Sequence, residues 1–112
     1  MSLMFQNTMT RRKEEFKPIT AGKVGLYTCG PTIYNFAHIG KFRAYIFEDL
    51  LRRYLEYKGY EVVHIMNLTD VEDKLIRTCR ESGKALKEIT QKYAQAFFDD
   101  VRTLHIQPAH HY

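Results

Sequence analysis

Two short β-prone runs, Val24-Gly25-Leu26-Tyr27-Thr28 and Glu61-Val62-Val63-His64-Ile65-Met66, flank one long stretch with a different period. In that stretch Phe42, Tyr45, Ile46, Leu50 and Tyr54 recur at steps of three and four. Lys41, Arg43, Glu48, Arg52, Arg53 and Glu56 fall mostly between them. An apolar stripe at that spacing predicts a helix beginning near His38 with those five residues inward. Lys58-Gly59 closes it, a basic last turn followed by a glycine cap. A strand, a crossover helix and a second strand leave few topologies: the strands run parallel and the crossover is right-handed. The fold class is therefore α/β.

The remaining segments read more weakly. Residues 1–23 are polar and irregular, with the charged run Arg11-Arg12-Lys13-Glu14-Glu15, and predict a solvated arm over 1–16 or a short edge strand. Pro31 cannot donate to a ladder, so the first strand is expected to stop there. The second strand ends in the polar turn Asn67-Leu68-Thr69-Asp70. A second helix follows with Val71, Leu75, Ile76 and Cys79 inward, and Ser82-Gly83 breaks it. A third covers 85–104 through Leu86, Ile89, Tyr93, Phe97, Val101 and Leu104, and Pro108 stops it. Two parallel strands are too few for a finished sheet, and the ending Pro108-Ala109-His110-His111-Tyr112 reads as cut rather than concluded.

Composition narrows the class of partner. With 112 residues and 45% of them hydrophobic, the chain suits one domain or half of a larger one and can bury a core. A net charge of +4 is compatible with an anionic ligand without requiring one. Cys29 and Cys79 form no disulfide framework, which predicts a reducing, cytoplasmic setting. No leader pattern or long apolar run points to a membrane.

In an open parallel sheet, ligands collect outside the carboxyl ends of the strands. Thr28-Cys29-Gly30-Pro31-Thr32, Asn67-Leu68-Thr69-Asp70 and the helix start His38-Ile39-Gly40-Lys41 should meet there. A helix N-terminus offers free N–H donors and partial positive charge, so it suits phosphate. Gly40 admits close approach, His38 can donate to phosphate oxygens, and Lys41 adds a cation. Cys29 reads as a small packed residue, a thiolate for zinc, or a nucleophile; no CxxC or HExxH spacing supports a metal on pattern alone. Asp70 as N-cap and Asp73 at the third helical position read as capping residues rather than an acid–base pair. Cys79 and His64 read as packed, and His105, His110 and His111 receive no role.

The stretch YTCGPTIYNFAHIGKFRAYIFEDLLRRYLEYKGYEVVHIMNLTDVEDKLI resembles the N-terminal catalytic region of the cysteinyl-tRNA synthetases, a class I aminoacyl-tRNA synthetase family. The combination CGPT-x-Y, AHIG, RRYLEYKGY and N-x-TD-x-xDK carries that resemblance, which runs from about residue 17 to the end of the chain. It implies a Rossmann-like catalytic domain of which 17–112 is the first half. His38-Ile39-Gly40-Lys41 resembles the family's HIGH signature with lysine in the last place. That implies His38 and Lys41 as catalytic residues gripping ATP during adenylate formation.

The resemblance further implies Cys29 as the first ligand of a Zn2+ ion that binds the thiolate of L-cysteine. Gly30, Thr32, Asn67 and Thr69 become parts of the amino-acid and adenylate pocket, beside Gly40. Soft zinc takes sulfur readily and the hydroxyl of serine poorly, so no editing site is needed. The reaction would use ATP with Mg2+ and deliver cysteine to tRNA(Cys), in a protein monomeric at full length. The remaining zinc ligands, the KMSKS loop and the anticodon-reading helices would lie downstream. These 112 residues are then expected to bind zinc poorly, to aminoacylate nothing alone, and to associate or be unstable through unpaired sheet edge. The rival readings are a cysteine ligase of mycothiol biosynthesis, a nucleotidylyltransferase, and a non-catalytic nucleotide-binding remnant.

Overall fold

A computed structural model describes residues 2–112. Two strands, β1 (Met4–Asn7) and β2 (Arg12–Glu15), open the chain as an antiparallel hairpin. Of the two expectations for this segment, a solvated arm or a short edge strand, the structure has strand, largely exposed. The Phe16 N–H donates to the Leu3 carbonyl at 2.7 Å, and the Phe16 ring sits edge-on to Phe5 and to Tyr60. Aromatic burial at the hairpin's foot holds it to the rest of the domain.

The predicted strand–helix–strand unit follows as β3 (Lys23–Thr32), α1 (Ile39–Tyr57) and β4 (Glu61–Thr69). β3 and β4 are parallel, paired from Lys23 opposite Glu61 to Thr32 opposite Thr69. Both strands run longer than the sequence reading. β3 passes Pro31 because the register shifts between Cys29 and Thr32, where a residue without an N–H is tolerated. Asn67, Leu68 and Thr69 are strand residues and not a turn. α2 (Asp73–Ser82) and α3 (Leu86–Thr103) complete the chain. α2 starts late: Glu72 is its N-cap without a side-chain bond, so Asp70 caps nothing and Val71 is exposed. Gly83, at φ +69°, ends α2 in the left-handed conformation.

α1 lies on one sheet face, rotated from the expected stripe. Phe42, Tyr45, Arg52 and Leu55 are its buried residues, whereas Leu50 is 63% exposed and Ile46 and Tyr54 are also exposed. The sheet supplies Val24, Thr28, Val62, His64 and Met66 to the same layer. Two apolar clusters result. Val24, Leu55 and Val62 form one, and Phe42, Tyr45, Met66, Phe97, Val101 and Ile106 form the other. Buried Thr28, His64 and Arg52 stand with these clusters in the core. Beyond α3 the chain returns along the free edge of β4. The His110 N–H reaches the His64 carbonyl at 2.8 Å, and the Met66 N–H reaches the His111 carbonyl at 3.0 Å. His111 pairs with Ile65 in parallel, so a third strand position begins there. No helix is long and apolar enough, among the described residues, to cross a membrane.

Candidate nucleotide site at the strand ends

The connection from β3 to α1 is held from below. Ile33 is buried, its N–H bonded to the Thr69 carbonyl at 3.0 Å. The Phe36 ring meets Tyr93 of α3 edge-on at 5.1 Å, and the Lys74 ammonium lies 5.9 Å from the Tyr34 ring centroid. This fixed loop borders a cleft of about 570 Å³ lined by Pro31, Thr32, Tyr34, Phe36, His38 and Lys41, among others.

His38 is the N-cap of α1, in extended backbone, and its Nδ1 accepts the Gly40 N–H at 3.0 Å. An accepting Nδ1 leaves the proton of the neutral ring on Nε2, free to donate to a ligand. The glycine two residues on has a steric reason. A Cβ there would stand 3.2 Å from His38 Nδ1, so the ring would have to give by a few tenths of an ångström to keep its place over the helix end. The first turn carries no acidic residue to complement the helix dipole, and Lys41 adds positive charge. Such an end gains from a bound anion.

Across from it, the ends of β3 and β4 are knitted through side chains. The Gly30 N–H donates to Asn67 Oδ1 at 2.8 Å, and Asn67 Nδ2 reaches Thr69 Oγ1 at 3.4 Å. A Cβ on Gly30 would collide with the Asn67 carbonyl oxygen and come within 2.9 Å of Met66 Cγ. Cys29 pairs in register with Asn67, is a free thiol, and is exposed. Its neighbour Thr28 points into the buried layer, so by strand alternation Cys29 occupies the face away from α1. The structure thus gathers Thr32, His38 and Lys41 in the cleft, with Gly40 at the helix end. Gly30, Asn67 and Thr69 form its strand-end neighbour. Cys29 sits at the same end of the sheet without lining that cleft. No three His, Cys, Asp or Glu side chains among the described residues come together as a metal site. Cys29 offers one thiolate, and these residues do not make a zinc centre by themselves.

A polar layer that the sequence reading passed over lies under this strand end. Thr28 Oγ1 and His64 Nε2 share a hydrogen bond of 2.8 Å. The His64 N–H donates to His110 Nδ1 at 2.9 Å. Arg52 donates to Glu56 at 3.0 Å and to the Pro108 carbonyl at 2.8 Å. Burial holds the His64 imidazole below its usual range, with Arg52 and His110 adding to the effect and Asp49 opposing it. Burial raises the Glu48 carboxyl, against the Thr28 hydroxyl, which lowers it. Tyr45 is pushed up to about 12, by burial first and then by Glu48 and Cys29. The one available signal was Arg52, seven residues from Tyr45 and ten from Phe42, hence on their face of the helix.

A parallel α/β unit with a helix start at its strand ends is shared by several nucleotide-binding classes, and comparison with known proteins decides among them. The family model described as tRNA synthetases class I (C) catalytic domain matches residues 15–112. The chain belongs to that family, the cysteine-type catalytic domain of the class I tRNA synthetases. It is 58% identical over 107 residues to the protein of Brachyspira hyodysenteriae named Cysteine--tRNA ligase, covering 96% of this chain and 23% of that protein. It is 53% identical over 110 residues to the Protochlamydia amoebophila protein of the same name, covering 98% and 23%. For the Thermococcus kodakarensis protein of that name the identity is 48% over 109 residues, covering 97% and 23%. The chain therefore spans 23% of the length of these relatives. Their names favour none of the rival readings.

Proposed function

We propose that these residues are the first half of the Rossmann-like catalytic domain of a cysteine–tRNA ligase, with 17–112 as the nucleotide-binding part. The protein would activate L-cysteine with ATP and Mg2+ and pass it to tRNA(Cys), acting in the cytoplasm as a monomer. The observation that carries this reading is the His38 cap, whose accepting Nδ1 frees Nε2–H at the mouth of the cleft.

In adenylate formation the cysteine carboxylate attacks the α-phosphorus of ATP and pyrophosphate leaves. Negative charge grows on phosphate oxygens as that bond changes. His38 Nε2–H, the Lys41 ammonium and the free N–H groups of α1 supply donors fixed before reaction, which is how such contacts lower a barrier. Thr32, on the cleft wall, would help orient the nucleotide. Asn67 and Thr69, with the Gly30 backbone, would border the amino acid. Cys29 would give one sulfur donor to the zinc that selects a thiol. Any further donors would have to come from outside the described residues, among which no three candidate ligands come together.

The test is a chimera in which this chain replaces the matching 107 residues of the Brachyspira relative. It should support cysteine-dependent exchange of pyrophosphate into ATP, and His38→Asn should reduce that exchange at least tenfold. A folded chimera without exchange, or one indifferent to His38→Asn, overturns the reading.

A further inference from the structure

His38 is exposed, and among the described residues the one hydrogen bond of its side chain is the local one with the Gly40 N–H. Where the ring points is therefore set by the backbone on either side of it. Both sides rest on α3. Before His38, the Phe36 ring stands edge-on to Tyr93 at 5.1 Å and 87°, and Ala37 packs against the apolar cluster that contains Phe97. After it, Phe42 stacks on Phe97 at 6.1 Å and 22°. Tyr93 and Phe97 are four residues apart on α3 and so share one face, where their rings bracket the start of α1.

The two grips differ in kind. Phe42 and Phe97 are buried and belong to the core. Phe36 is 62% exposed, so little else packs on it, and the half-buried Tyr93 ring carries its placement. The loop is otherwise fixed at its two ends. Ile33 is tied to the Thr69 carbonyl at 3.0 Å, and the His38 carbonyl accepts the Lys41 N–H at 2.9 Å. Between those ends the Phe36 N–H bonds only to its neighbour, Asn35 Oδ1, at 2.8 Å. Phe36 lines the same cleft as His38 and Lys41, whereas Tyr93 does not. Any effect of Tyr93 on a ligand in that cleft therefore passes through Phe36.

We propose that Tyr93 is a positioning residue for the adenylate-forming step: by holding Phe36 it fixes the backbone of 36–38 and so aims His38 Nε2–H into the cleft. This inference rests on the function proposed above. A donor lowers a barrier only as far as it is oriented before reaction. With Tyr93 gone, residues 34–37 hang between Ile33 and the helix, and the donor spreads over orientations. The loss falls on the rate at saturation and not on nucleotide affinity, because Tyr93 touches neither the cleft nor its ligand.

The chimera described above tests this by pyrophosphate exchange at saturating ATP and cysteine. Tyr93→Ala should lower the maximal rate about three- to tenfold, the range open to one aromatic pair, with the KM for ATP nearly unchanged. Tyr93→Phe should restore it, since the edge-on contact needs the ring and not the hydroxyl. Added to His38→Asn, Tyr93→Ala should cost less than roughly a further twofold, because the donor it aims is already gone. Equal losses with and without His38, or no loss from Tyr93→Ala where His38→Asn does act, overturn the inference and leave the ligase reading standing. A folded chimera with no exchange at all counts against that reading, and the ¹⁵N-labelled chain then decides the inference without activity. There Tyr93→Ala should speed exchange of the Gly40 amide with water roughly threefold or more and shift the His38 ring nitrogens, while amides of β3 and β4 keep their rates. Phe36→Leu, at an exposed position that leaves the fold intact, should reproduce both effects even where a Tyr93 variant fails to fold. Unchanged Gly40 and His38 signals overturn the inference.

Discussion

Glycine 30 and glycine 25 lie on the same strand and should respond to alanine in opposite directions. At Gly30 a methyl group would strike the Asn67 carbonyl oxygen, a backbone atom of the paired strand, and press on Met66 Cγ at 2.9 Å. Met66 can move, but the Asn67 carbonyl cannot without opening the ladder. Gly30 is not at positive φ, so space and not backbone conformation demands the glycine. Overpacking of this kind costs about 1–3 kcal/mol. Separation of the strands also stretches the 2.8 Å bond from the Gly30 N–H to Asn67 Oδ1, which contributes about 1 kcal/mol. Gly30→Ala should therefore destabilise by about 2–4 kcal/mol, a large share of the roughly 5–15 kcal/mol that holds a typical domain together. At Gly25 a methyl group meets nothing within 4 Å, and its entropic effect on the unfolded chain should leave stability equal or slightly higher. Urea unfolding followed by circular dichroism measures both. Equal midpoints for the two variants would refute the steric account of the Cys-Gly pair.

Other expectations follow from single contacts. His38→Ala removes the acceptor for the Gly40 N–H and should cost about 1 kcal/mol of stability, which His38→Asn should largely restore without restoring pyrophosphate binding by calorimetry. His64 is held below 6.5 when folded, so the unfolded chain binds the extra proton and stability should fall on acidifying below 6.5. His64→Gln should flatten that part of a plot of urea midpoint against pH. Glu48 is raised above 4.5, the opposite sense: its stabilisation is full below 4.5 and is lost as pH rises through its folded value, and Glu48→Gln should remove that loss. Arg52→Ala frees the Pro108 carbonyl and Glu56, and should cost about 2 kcal/mol with faster hydrogen exchange at His110 and His111.

Local chemistry explains what could be read along the chain. The parallel strand–helix–strand unit is legible because its signals are short-range: the period of Phe42 and Tyr45, the Lys58-Gly59 stop, and the β-prone runs on either side. The His38 cap and Gly40 two residues later are legible for the same reason, since both partners of that bond lie within one turn. Family membership also came from the sequence, because CGPT, AHIG and N-x-TD-x-xDK are linear patterns. Tertiary structure alone decided which side of α1 faces the sheet. Arg52 is buried and Leu50 exposed because the carbonyl of Pro108, 56 residues away in sequence, lies within reach of one and nothing covers the other. It likewise carried β3 past Pro31, set Cys29 on the face away from α1, and paired Thr28 with His64 across 36 residues. Those outcomes depend on which backbone groups meet after the chain closes on itself, and side-chain period records burial, not the identity of the partner.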